Sequence, residues 1–496
     1  MTTITCSEVI MAHDGPVADT PSIYDDEEGS GRGIIRIASV AALGGLLFGY
    51  DSAVINGAVE SIRHEYDVKE AVLGFAVASA LLGAAAGAML AGRIADRIGR
   101  LKVMKIAAVL FLLSAFVTGW APNLEILVLG RVIGGFGVGV ASVIAPAYIA
   151  ETSPARIRGR LGSLQQLAIV LGIFASLLVD WLLAEMAGGA GEDLWLGWEA
   201  WRWMFLAMAI PALVYGVLAS TIPESPRYLI MNHKIPEARV ILSKLLGETN
   251  LDIKIDRIRL SLERETKPSW RDLKGSNGKV LTIVWVGLLL SIFQQAVGIN
   301  VIFYYSNTLW QAVGFDESQS FGISVFTSFL NIATTLIAIA LIDRVGRKPL
   351  LLVGSTGMIV TLGTMALCFA NATGSGSDVS LEGAWGPIAL VAANLFVVAF
   401  GMSWGPVTWV LLGEMFPNRI RGAALSLAAA GQWAANWAIT VSFPPLAKFS
   451  LPFSYGMYTM FAVLSLVFVL KMVNETKGKA LEDMDPDNPA PVLGGH

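Results

Sequence analysis

Charged residues are scarce in this chain of 496 residues. Asp, Glu, Lys and Arg make up 15% of it, whereas hydrophobic residues make up 54%. A soluble globular chain is about a quarter charged. The composition therefore excludes an ordinary soluble protein and indicates that most of the chain faces lipid.

Cysteine and histidine are also rare, and their spacing excludes several chemistries. Cys6 and Cys368 stand far apart and form neither a disulfide framework nor a metal-ligand motif. The four histidines are scattered, at positions 13, 64, 233 and 496. Because no group of residues supplies a nucleophile with a base, or a set of metal ligands, we expect no enzyme, no metal and no cofactor. The net charge of −4 is small and gives no indication of a nucleic-acid partner.

The N-terminal segment lacks the features of a cleavable signal peptide. Residues 1–33 hold seven acidic residues and one basic residue, and they contain no apolar run before a small-residue cleavage site. We expect a disordered cytoplasmic tail there, and a second cytoplasmic tail over 474–496. Both tails are short, which argues against a signalling domain.

Long apolar runs recur along the rest of the chain. Each is close to the roughly 20 residues that a transmembrane helix needs. The runs lie at 34–57, 71–92, 103–121, 124–148, 161–184, 201–222, 280–306, 319–342, 349–370, 386–413, 422–446 and 453–473. Helices satisfy every backbone group across a lipid core. We predict an all-α membrane protein with twelve transmembrane helices, six over 34–222 and six over 280–473.

Basic residues mark one side of this predicted bundle. They cluster in the loops after the second, fourth, eighth and tenth runs, whereas 311–318 and 371–385 contain none. Because Lys and Arg accumulate in cytoplasmic loops, both termini of this plasma-membrane protein are expected in the cytoplasm. Residues 223–279 break the hydrophobic rhythm with twelve basic and eight acidic residues. We predict a cytoplasmic linker of short amphipathic helices there, between the two halves.

Three short motifs occur in the same order in both halves. Asp96–Arg100 (DRIGR) is repeated at Asp343–Arg347 (DRVGR). Glu151–Gly159 (ETSPARIRG) is repeated at Glu414–Gly422 (EMFPNRIRG). A third, weaker pair is PES at 223–225 and NET at 474–476. Such repetition indicates two structurally related halves.

The acids and bases of these motifs are predicted to form charge-assisted networks at the cytoplasmic ends of the helices. Such networks would hold the halves together on that side, and breaking them would release an inward-open state. The alternative is that the bases only set the topology and the glycines only form turns. The residues assigned to this gating network are Arg93, Asp96, Arg97, Arg100, Glu151, Arg158, Glu224, Arg227, Asp343, Arg344, Arg347, Glu414, Arg421 and Glu475.

Several motifs along the chain together resemble those of a known family. They are Gly92–Arg100, Gly130–Gly135, Pro223–Arg227, Gln294–Asn300, Tyr304–Tyr305, Gly405–Trp409 and Asn474–Gly478. With them the chain resembles the sugar porter family of the major facilitator superfamily, which includes bacterial proton-coupled glucose and xylose transporters and facilitative glucose carriers. The resemblance covers about 34–480 and departs at Asn474, where Pro is usual. It implies the major facilitator fold, a monomer in the lipid bilayer, and alternating access around a sugar site near the bilayer midplane.

A carboxylate and a guanidinium fall inside predicted transmembrane helices. Asp51 lies in the first and Arg131 in the fourth. A charge at mid-membrane costs about 2.5–3.5 kcal/mol on insertion scales and indicates a functional site by default. An acid beside a compensating Arg suits reversible proton binding, although a pair that only locks two helices is the alternative. Proton-coupled members of the family resemble this chain at Asp51, whereas facilitative carriers commonly have Asn there.

The sixth predicted helix departs from the proton-coupled pattern. Relatives of that kind can carry an acidic residue where this chain has Met208, within Phe205–Pro211. We expect Asp51 and Arg131 to suffice for coupling.

Amide side chains are unusually frequent within the predicted transmembrane helices. An amide carries a donor and an acceptor without a charge, so it can bind vicinal hydroxyls without attracting ions. An unpaired amide is costly in lipid, so these side chains must face a cavity or each other. Interhelical hydrogen bonding is the alternative for any one of them. As a set that matches the family pattern, they predict a sugar site: Gln166, Gln294, Gln295, Asn300, Asn331 and Gln432.

Aromatic side chains are predicted to complete the sugar site, because the C–H faces of a sugar ring pack on aromatic planes. The candidates are Phe48, Tyr304, Trp409 and Trp433. The resemblance adds Ile173 and Phe303 at the pocket edge, where glucose-carrying members resemble this chain.

These features together predict symport of a hexose and a proton, with D-glucose as the expected sugar. Xylose, galactose, arabinose and inositol are alternative substrates, because one hydroxyl is a modest difference in contacts. An uncoupled sugar uniporter and a sugar-sensing receptor are alternative functions on the same fold.

Overall fold

The computed structural model describes residues 31–153, 158–246, 250–264, 273–275, 278–373, 380–416 and 420–477. Most of the predicted N-terminal tail, and the predicted C-terminal tail beyond residue 477, lie outside the described residues. The side chains of Arg158, Asp343 and Arg421 lie outside the described part as well.

Within those ranges, eight helices form the first half. They are α1 (Gly31–Ala53), α2 (Ile55–Tyr66), α3 (Glu70–Ile98), α4 (Arg100–Gly119), α5 (Leu124–Thr152), α6 (Arg158–Ala187), α7 (Ala200–Ala207) and α8 (Ala209–Ala219). The pairs α1–α2 and α7–α8 each form one bilayer crossing with a short break. The break at Met208 comes three residues before Pro211, which has no N–H to donate to a continuous helix.

Three short helices, α9 (Pro226–Met231), α10 (Ile235–Leu246) and α11 (Leu251–Arg264), lie in the predicted linker. The second half follows with α12 (Thr282–Ala296), α13 (Ile299–Ala312), α14 (Glu317–Val345), α15 (Arg347–Ala370), α16 (Trp385–Gly401), α17 (Trp404–Met415), α18 (Arg421–Phe449) and α19 (Leu451–Met472). Here α12–α13 and α16–α17 are the broken crossings. The first break is at Gly298, whose φ of 82° is readily adopted only by glycine.

Each of the twelve predicted transmembrane segments coincides with one long helix or one broken pair, which confirms the all-α architecture. Among the described residues, eleven crossings are long and apolar enough to span a membrane by length and composition. The remaining one, α18, has 29 residues but carries buried polar side chains such as Asn436 and Thr440. The first crossing continues to Tyr66 rather than ending at 57, because the helix extends past the apolar run into a polar stretch.

Small residues allow the helices of the first half to approach closely. A Cβ at Gly135 of α5 would overlap the Ala80 carbonyl oxygen of α3, and a Cβ at Gly83 of α3 would overlap the Val132 carbonyl oxygen of α5. Lipid gives no hydrophobic driving force for helix association, so such close packing is a main source of stability.

A short antiparallel hairpin of β1 (Asp193–Trp195) and β2 (Trp198–Glu199) precedes α7. The sequence analysis predicts no strand there. Leu196 and Gly197 at its turn have φ of 57° and 73°, the positive values that a tight two-residue hairpin turn uses.

The two halves are in contact on the side opposite the repeated motifs. Asn56 Nδ2 of α2 donates to Ser306 Oγ of α13 at 2.8 Å, and the Asn307 backbone N–H donates to Asn56 Oδ1 at 3.0 Å. Helix α3 packs on α18, and α6 packs on α14. The ion pairs described on the motif side each join residues within one half, or one half and the linker. The structure is thus closed on the side that carries Asn56.

Candidate functional site

The intramembrane acid and base predicted from the sequence lie side by side. Arg131 Nη1 donates to the Asp51 backbone carbonyl at 2.8 Å and lies 3.6 Å from Asp51 Oδ2. The exposed fraction is 1% for Asp51 and 2% for Arg131. Neither carboxylate oxygen has a hydrogen-bond partner among the described residues. The charge of Asp51 is thus compensated by a neighbour but not held by a hydrogen-bond network, which suits a group that gains and loses a proton.

A small cavity borders this pair. Its volume is about 10 Å³, room for about one water molecule. Ser52 and Gly135 of the first half line it, together with Tyr304 of α13. The cavity therefore lies where the two halves meet.

Four of the predicted amides form one connected network in the second half. Asn300 Nδ2 donates to Gln295 Oε1 at 2.6 Å, and Gln295 Nε2 donates to Gln294 Oε1 at 3.3 Å. Gln432 Nε2 donates to the same Gln294 oxygen at 2.8 Å. Gln294 Nε2 donates to the Trp404 carbonyl oxygen at 3.0 Å. The network, which we call the amide network, joins α12, α13, α17 and α18.

Two helix breaks position the amide network. The turn at Gly298 separates α12 from α13, so that Asn300 at the start of α13 can reach back to Gln295 near the end of α12. The break at 402–403, between α16 and α17, places the first turn of α17 against Gln294.

The amide network can bind an uncharged, hydroxyl-rich ligand. Gln294 and Gln295 are buried, whereas Asn300 and Gln432 are partly exposed. Because the amides bond mainly to one another, a ligand can exchange amide–amide bonds for amide–hydroxyl bonds at a small net cost. Amides carry no net charge, so the network does not favour ions over neutral molecules.

The amide network and the acid–base pair share one face of α13. Asn300 and Tyr304 are four residues apart, which places them on the same side of the helix. Asn300 belongs to the amide network, and Tyr304 lines the cavity beside Asp51. The two sites are therefore about one helical turn apart, roughly 6 Å along the helix axis.

The predicted aromatic residues are only partly brought together. The rings of Phe48 and Trp433 lie 6.3 Å apart at an angle of 34°, across the two halves. Tyr304 faces the cavity. Trp409 is 47% exposed on α17 and has no described contact with the amide network. Among the described residues, Phe48 and Trp433 are thus the two of these four aromatics that contact each other, and they join α1 to α18.

Two predicted amides lie outside the amide network. Gln166 is partly exposed with no hydrogen bond described, and its neighbour Gln165 is the buried one. A Cβ at Gly45 would lie 2.9 Å from Gln165 Cδ, so this side chain packs closely on α1. Asn331 Oδ1 faces Gly401 of α16 instead of the network.

The two residues predicted at the pocket edge lie one in each half, and both are at least partly buried. Ile173 of α6 is partly buried, and a Cβ at Gly49 of α1 would lie 2.8 Å from its backbone nitrogen. Phe303 of α13 is buried, next to Tyr304 in the chain.

Sequence reasoning missed several buried polar side chains, among them Asn56, which joins the two halves, Trp404 and Asp180. Trp404 is fully buried, and its Nε1 donates to Ser355 Oγ at 2.9 Å, which anchors the start of α17 to α15. Asp180 is fully buried in α6. The criterion that identified Asp51, an acid inside a predicted transmembrane helix, applies equally to Asp180 and would have found it.

The repeated motifs form two matching ion-pair networks. In the first half, Arg100 donates from Nε and Nη2 to the two Glu151 oxygens at 3.1 and 2.9 Å. In the second half, Arg347 makes the same two bonds to Glu414 at 3.0 and 2.6 Å. Such bidentate pairs are among the strongest hydrogen bonds in proteins.

A carboxylate in each network also caps a helix. Glu224 accepts from the backbone N–H of Arg100 at 3.0 Å, and Glu475 accepts from that of Arg347 at 3.1 Å, at the starts of α4 and α15. Burial raises the pKa of Glu475, but hydrogen bonds from backbone N–H groups lower it by more, so that its pKa lies below the ordinary 4.5. Both caps place an anion at the positive end of a helix dipole.

In this arrangement each network joins elements of its own half or the linker. Arg100 also pairs with Asp96 at 3.0 Å, and Arg227 of α9 lies 4.0 Å from Glu151. Three other members of the predicted gating network are exposed and have no ion pair among the described residues: Arg93, Arg97 and Arg344. The predicted contact between the halves on this side stays a prediction for another conformation.

Comparison with known proteins gives consistent results over nearly the whole chain. The family model described as sugar (and other) transporter matches residues 37–487. The glucose transport protein of Synechocystis sp. is 54% identical over 453 residues, covering 91% of this chain and 97% of that protein. The D-xylose–proton symporter of Escherichia coli is 39% identical over 485 residues, covering 91% and 95%. The solved inward-open structure of the xylose transporter from E. coli has a TM-score of 0.77 and 38% identity, covering 91% of this chain and 99% of that one.

Proposed function

This chain belongs to the sugar transporter family, and we propose that it carries a hexose, mainly D-glucose, into the cell together with a proton. It is a multi-pass protein of the plasma membrane. Two relatives support this function by what they are named for: one is a glucose transport protein at 54% identity, and the other is a D-xylose–proton symporter at 39%. The higher identity to the glucose transport protein favours glucose over xylose.

One structural observation carries the proposal: α13 presents Asn300 to the amide network and Tyr304 to the Asp51 cavity on the same face. A sugar held by the amides therefore sits about one helical turn from the proton site. Sugar binding and proton binding can then each affect the position of the same helix, which is the physical requirement for coupling.

The cycle runs by alternating access in a monomer with both termini in the cytoplasm. The motif side is then cytoplasmic, and the side closed by Asn56 is the outer side. With the outer side open, sugar binds the amides and Asp51 takes up a proton. The halves then rock until Asn56 meets Ser306, which is the state seen here, and both substrates leave inward. A potential of 100 mV drives one proton by about 2.3 kcal/mol, enough to concentrate sugar tens of fold.

A specific observation favours one alternative, an uncoupled glucose uniporter. Met208, where proton-coupled relatives can carry an acid, is fully buried at the break between α7 and α8 and offers no proton site. Coupling in this chain must then depend on Asp51.

Transport assays in proteoliposomes test both parts of the proposal. Labelled glucose is taken up by counterflow, and unlabelled sugars compete. We expect D-glucose to compete more strongly than D-xylose, and an inward proton gradient to drive glucose accumulation that a protonophore abolishes. Counterflow without any gradient-driven accumulation would refute symport and favour the uniporter, and stronger competition by xylose would refute the substrate assignment.

A further inference from the structure

A second carboxyl group is buried in the first half, and the proposed cycle does not use it. Asp180 of α6 is 0% exposed, and neither Oδ1 nor Oδ2 has a hydrogen-bond partner among the described residues. Burying an ionised carboxylate in this way is strongly unfavourable, whereas burying the neutral acid costs much less. The site therefore favours a protonated side chain in this conformation.

The surroundings of Asp180 are tightly packed. A Cβ at Gly57 of α2 would lie 2.9 Å from Asp180 Cβ and 2.8 Å from the sulfur of Met204 on α7. Tyr50 of α1 is the titratable side chain that faces Asp180, and no cation faces it among the described residues. Any residue larger than glycine at 57 would push α2 away from α6.

The start of α2 offers Asp180 only partial compensation. The Gly57 N–H, in the first turn of α2, faces the carboxyl group without forming a hydrogen bond of good geometry. A helix N-terminus stabilises an anion only weakly. This is less than the burial cost, so an ionised Asp180 opposes the seating of α2.

Helix α2 is also the element that closes the outer side. Asn56, the neighbour of Gly57, makes the hydrogen bonds to Ser306 and Asn307 of the second half. One to two turns further along α2, Ser61 and His64 line an outer cavity of about 450 Å³. Asp180 packs against Gly57, which lies between Asp51 and the cavity-lining Ser61 along α1–α2, so its carboxyl group is covered by the helix that seats when the outer side closes.

We propose that Asp180 is a second proton-binding site, filled from the outer side and released when α2 moves away. When α2 contacts α13, it covers the Asp180 carboxyl group. Because the covered group is buried, it must then be neutral. Because such linkage is reciprocal, protonation of Asp180 favours the outward-closed state. The inference rests on the proposed function, in which the proton arrives from outside. It assigns the proton a role in closing the outer side, in addition to its role at Asp51.

Infrared difference spectroscopy of the full chain in lipid vesicles tests this site directly. The carbonyl stretch of a protonated carboxylic acid reports a neutral Asp side chain. We expect Asp180→Asn to remove one component of that band and its pH titration, and the control Glu125→Gln, at an exposed carboxylate in α5, to leave the band unchanged. A band with the same intensity and titration in Asp180→Asn would overturn the inference.

Transport in the same vesicles supplies the second readout and shows that the variant is folded. Because the amide mimics the neutral acid, counterflow by Asp180→Asn should lose part of the dependence on external pH that the parent chain shows. Unchanged dependence would count against the inference. If Asp180→Asn gives no counterflow, Asp180→Ser replaces it in both assays. Failure of gradient-driven accumulation in the parent chain would refute the proposed function, whereas intact accumulation with an unchanged infrared band would refute only the role of Asp180.

Discussion

Asp51 and Gln294 are both buried polar side chains in a lipid environment, but their hydrogen bonding differs. Gln294 accepts from Gln295 and Gln432 and donates to the Trp404 carbonyl, so its amide is fully used. The Asp51 carboxylate has an ion-pair partner but no described hydrogen bond. A side chain whose hydrogen-bonding groups all have partners keeps a fixed geometry, which suits ligand recognition. A carboxylate with few hydrogen bonds can change its protonation state.

Replacing Gln294 by Ala should weaken glucose binding more than replacing Asn331 by Ala. Loss of the Gln294 amide removes groups that we expect to bind sugar hydroxyls and leaves Gln432 Nε2 without the oxygen that accepts from it, at a cost of about 1–3 kcal/mol, or roughly 5- to 150-fold in affinity. Asn331 lies outside the amide network, so its loss should have a smaller effect. The half-saturation concentration for counterflow measures both. Equal effects of the two substitutions would show that the amide network is not the binding site.

Replacing Glu475 by Gln should lower thermal stability at neutral pH. The pKa of Glu475 lies below its ordinary value of 4.5 in the folded chain, so the ionised form stabilises the fold. This contribution is fully present above pH 4.5 and is lost as the pH falls through the lower, folded pKa. We expect the melting temperature in detergent, measured as a function of pH, to be higher for the parent than for the variant. This difference should disappear only below the pKa of Glu475 in the folded chain.

The exposed Glu237 provides the control for this experiment. Glu237→Gln should leave the melting curve nearly unchanged, because an exposed ion pair contributes little. A gap for Glu475→Gln that persists unchanged at the lowest pH would contradict an electrostatic origin.

At the residue scale, the sequence predicts which polar side chains are functional better than it predicts which of them contact each other. Gln294 and Asn300 were recognisable because amides inside apolar runs must find partners. The pairing of the amide side chains depends on the turn at Gly298 and on contacts between helices that are distant in the chain. These features cannot be read from a single sequence. For this reason Gln166 and Asn331 were grouped with residues they do not contact, and Asp180 was overlooked.

At the scale of secondary structure, the twelve crossings follow from hydropathy, but the breaks within them do not. Apolar runs predict a crossing from 280 to 306, whereas the chain turns at Gly298 and starts a new helix. Breaks of this kind place polar side chains at membrane depth, where they line a cavity or contact other helices. Helix α18 is unbroken, but its polar side chains also contact other helices, since Gln432 Nε2 donates to Gln294 Oε1.

The close contact between α3 and α5 can be tested with a pair of glycine substitutions. Gly135→Ala introduces a Cβ that overlaps the Ala80 carbonyl oxygen, so the helices must separate, at a cost of about 1–3 kcal/mol or more. Gly92→Ala adds a Cβ in open space on α3 and should be neutral or slightly stabilising. The melting temperature in detergent reports both changes. A Gly135→Ala protein as stable as the parent would contradict the packing described here.

For the whole molecule, the structure represents one of the two main conformations of an alternating-access transporter. The halves meet through Asn56 and Ser306 on the side opposite the repeated motifs, while the Arg100 and Arg347 networks do not join one half to the other among the described residues. The similarity to an inward-open xylose transporter agrees with this arrangement. The repeat predicted from sequence explains why the two networks match bond for bond, but it did not specify which state the molecule adopts.

Joining the outer contact covalently should stop transport. In Asn56→Cys/Ser306→Cys, a disulfide would hold α2 against α13 and prevent the outer side from opening. We expect oxidation to abolish counterflow and reduction to restore it. The single variant Asn56→Cys is the control and should be insensitive to oxidation. Full counterflow with a confirmed disulfide would contradict the assignment of this side as the outer gate.

The most direct test of the central claim compares the parent chain with Asp51→Asn in proteoliposomes under an inward proton gradient. The amide keeps the size of the side chain beside Arg131 but cannot exchange a proton. The account predicts that the parent accumulates glucose tens of fold under about 100 mV, and that Asp51→Asn accumulates none but retains counterflow. Accumulation by Asp51→Asn equal to that of the parent would contradict the account.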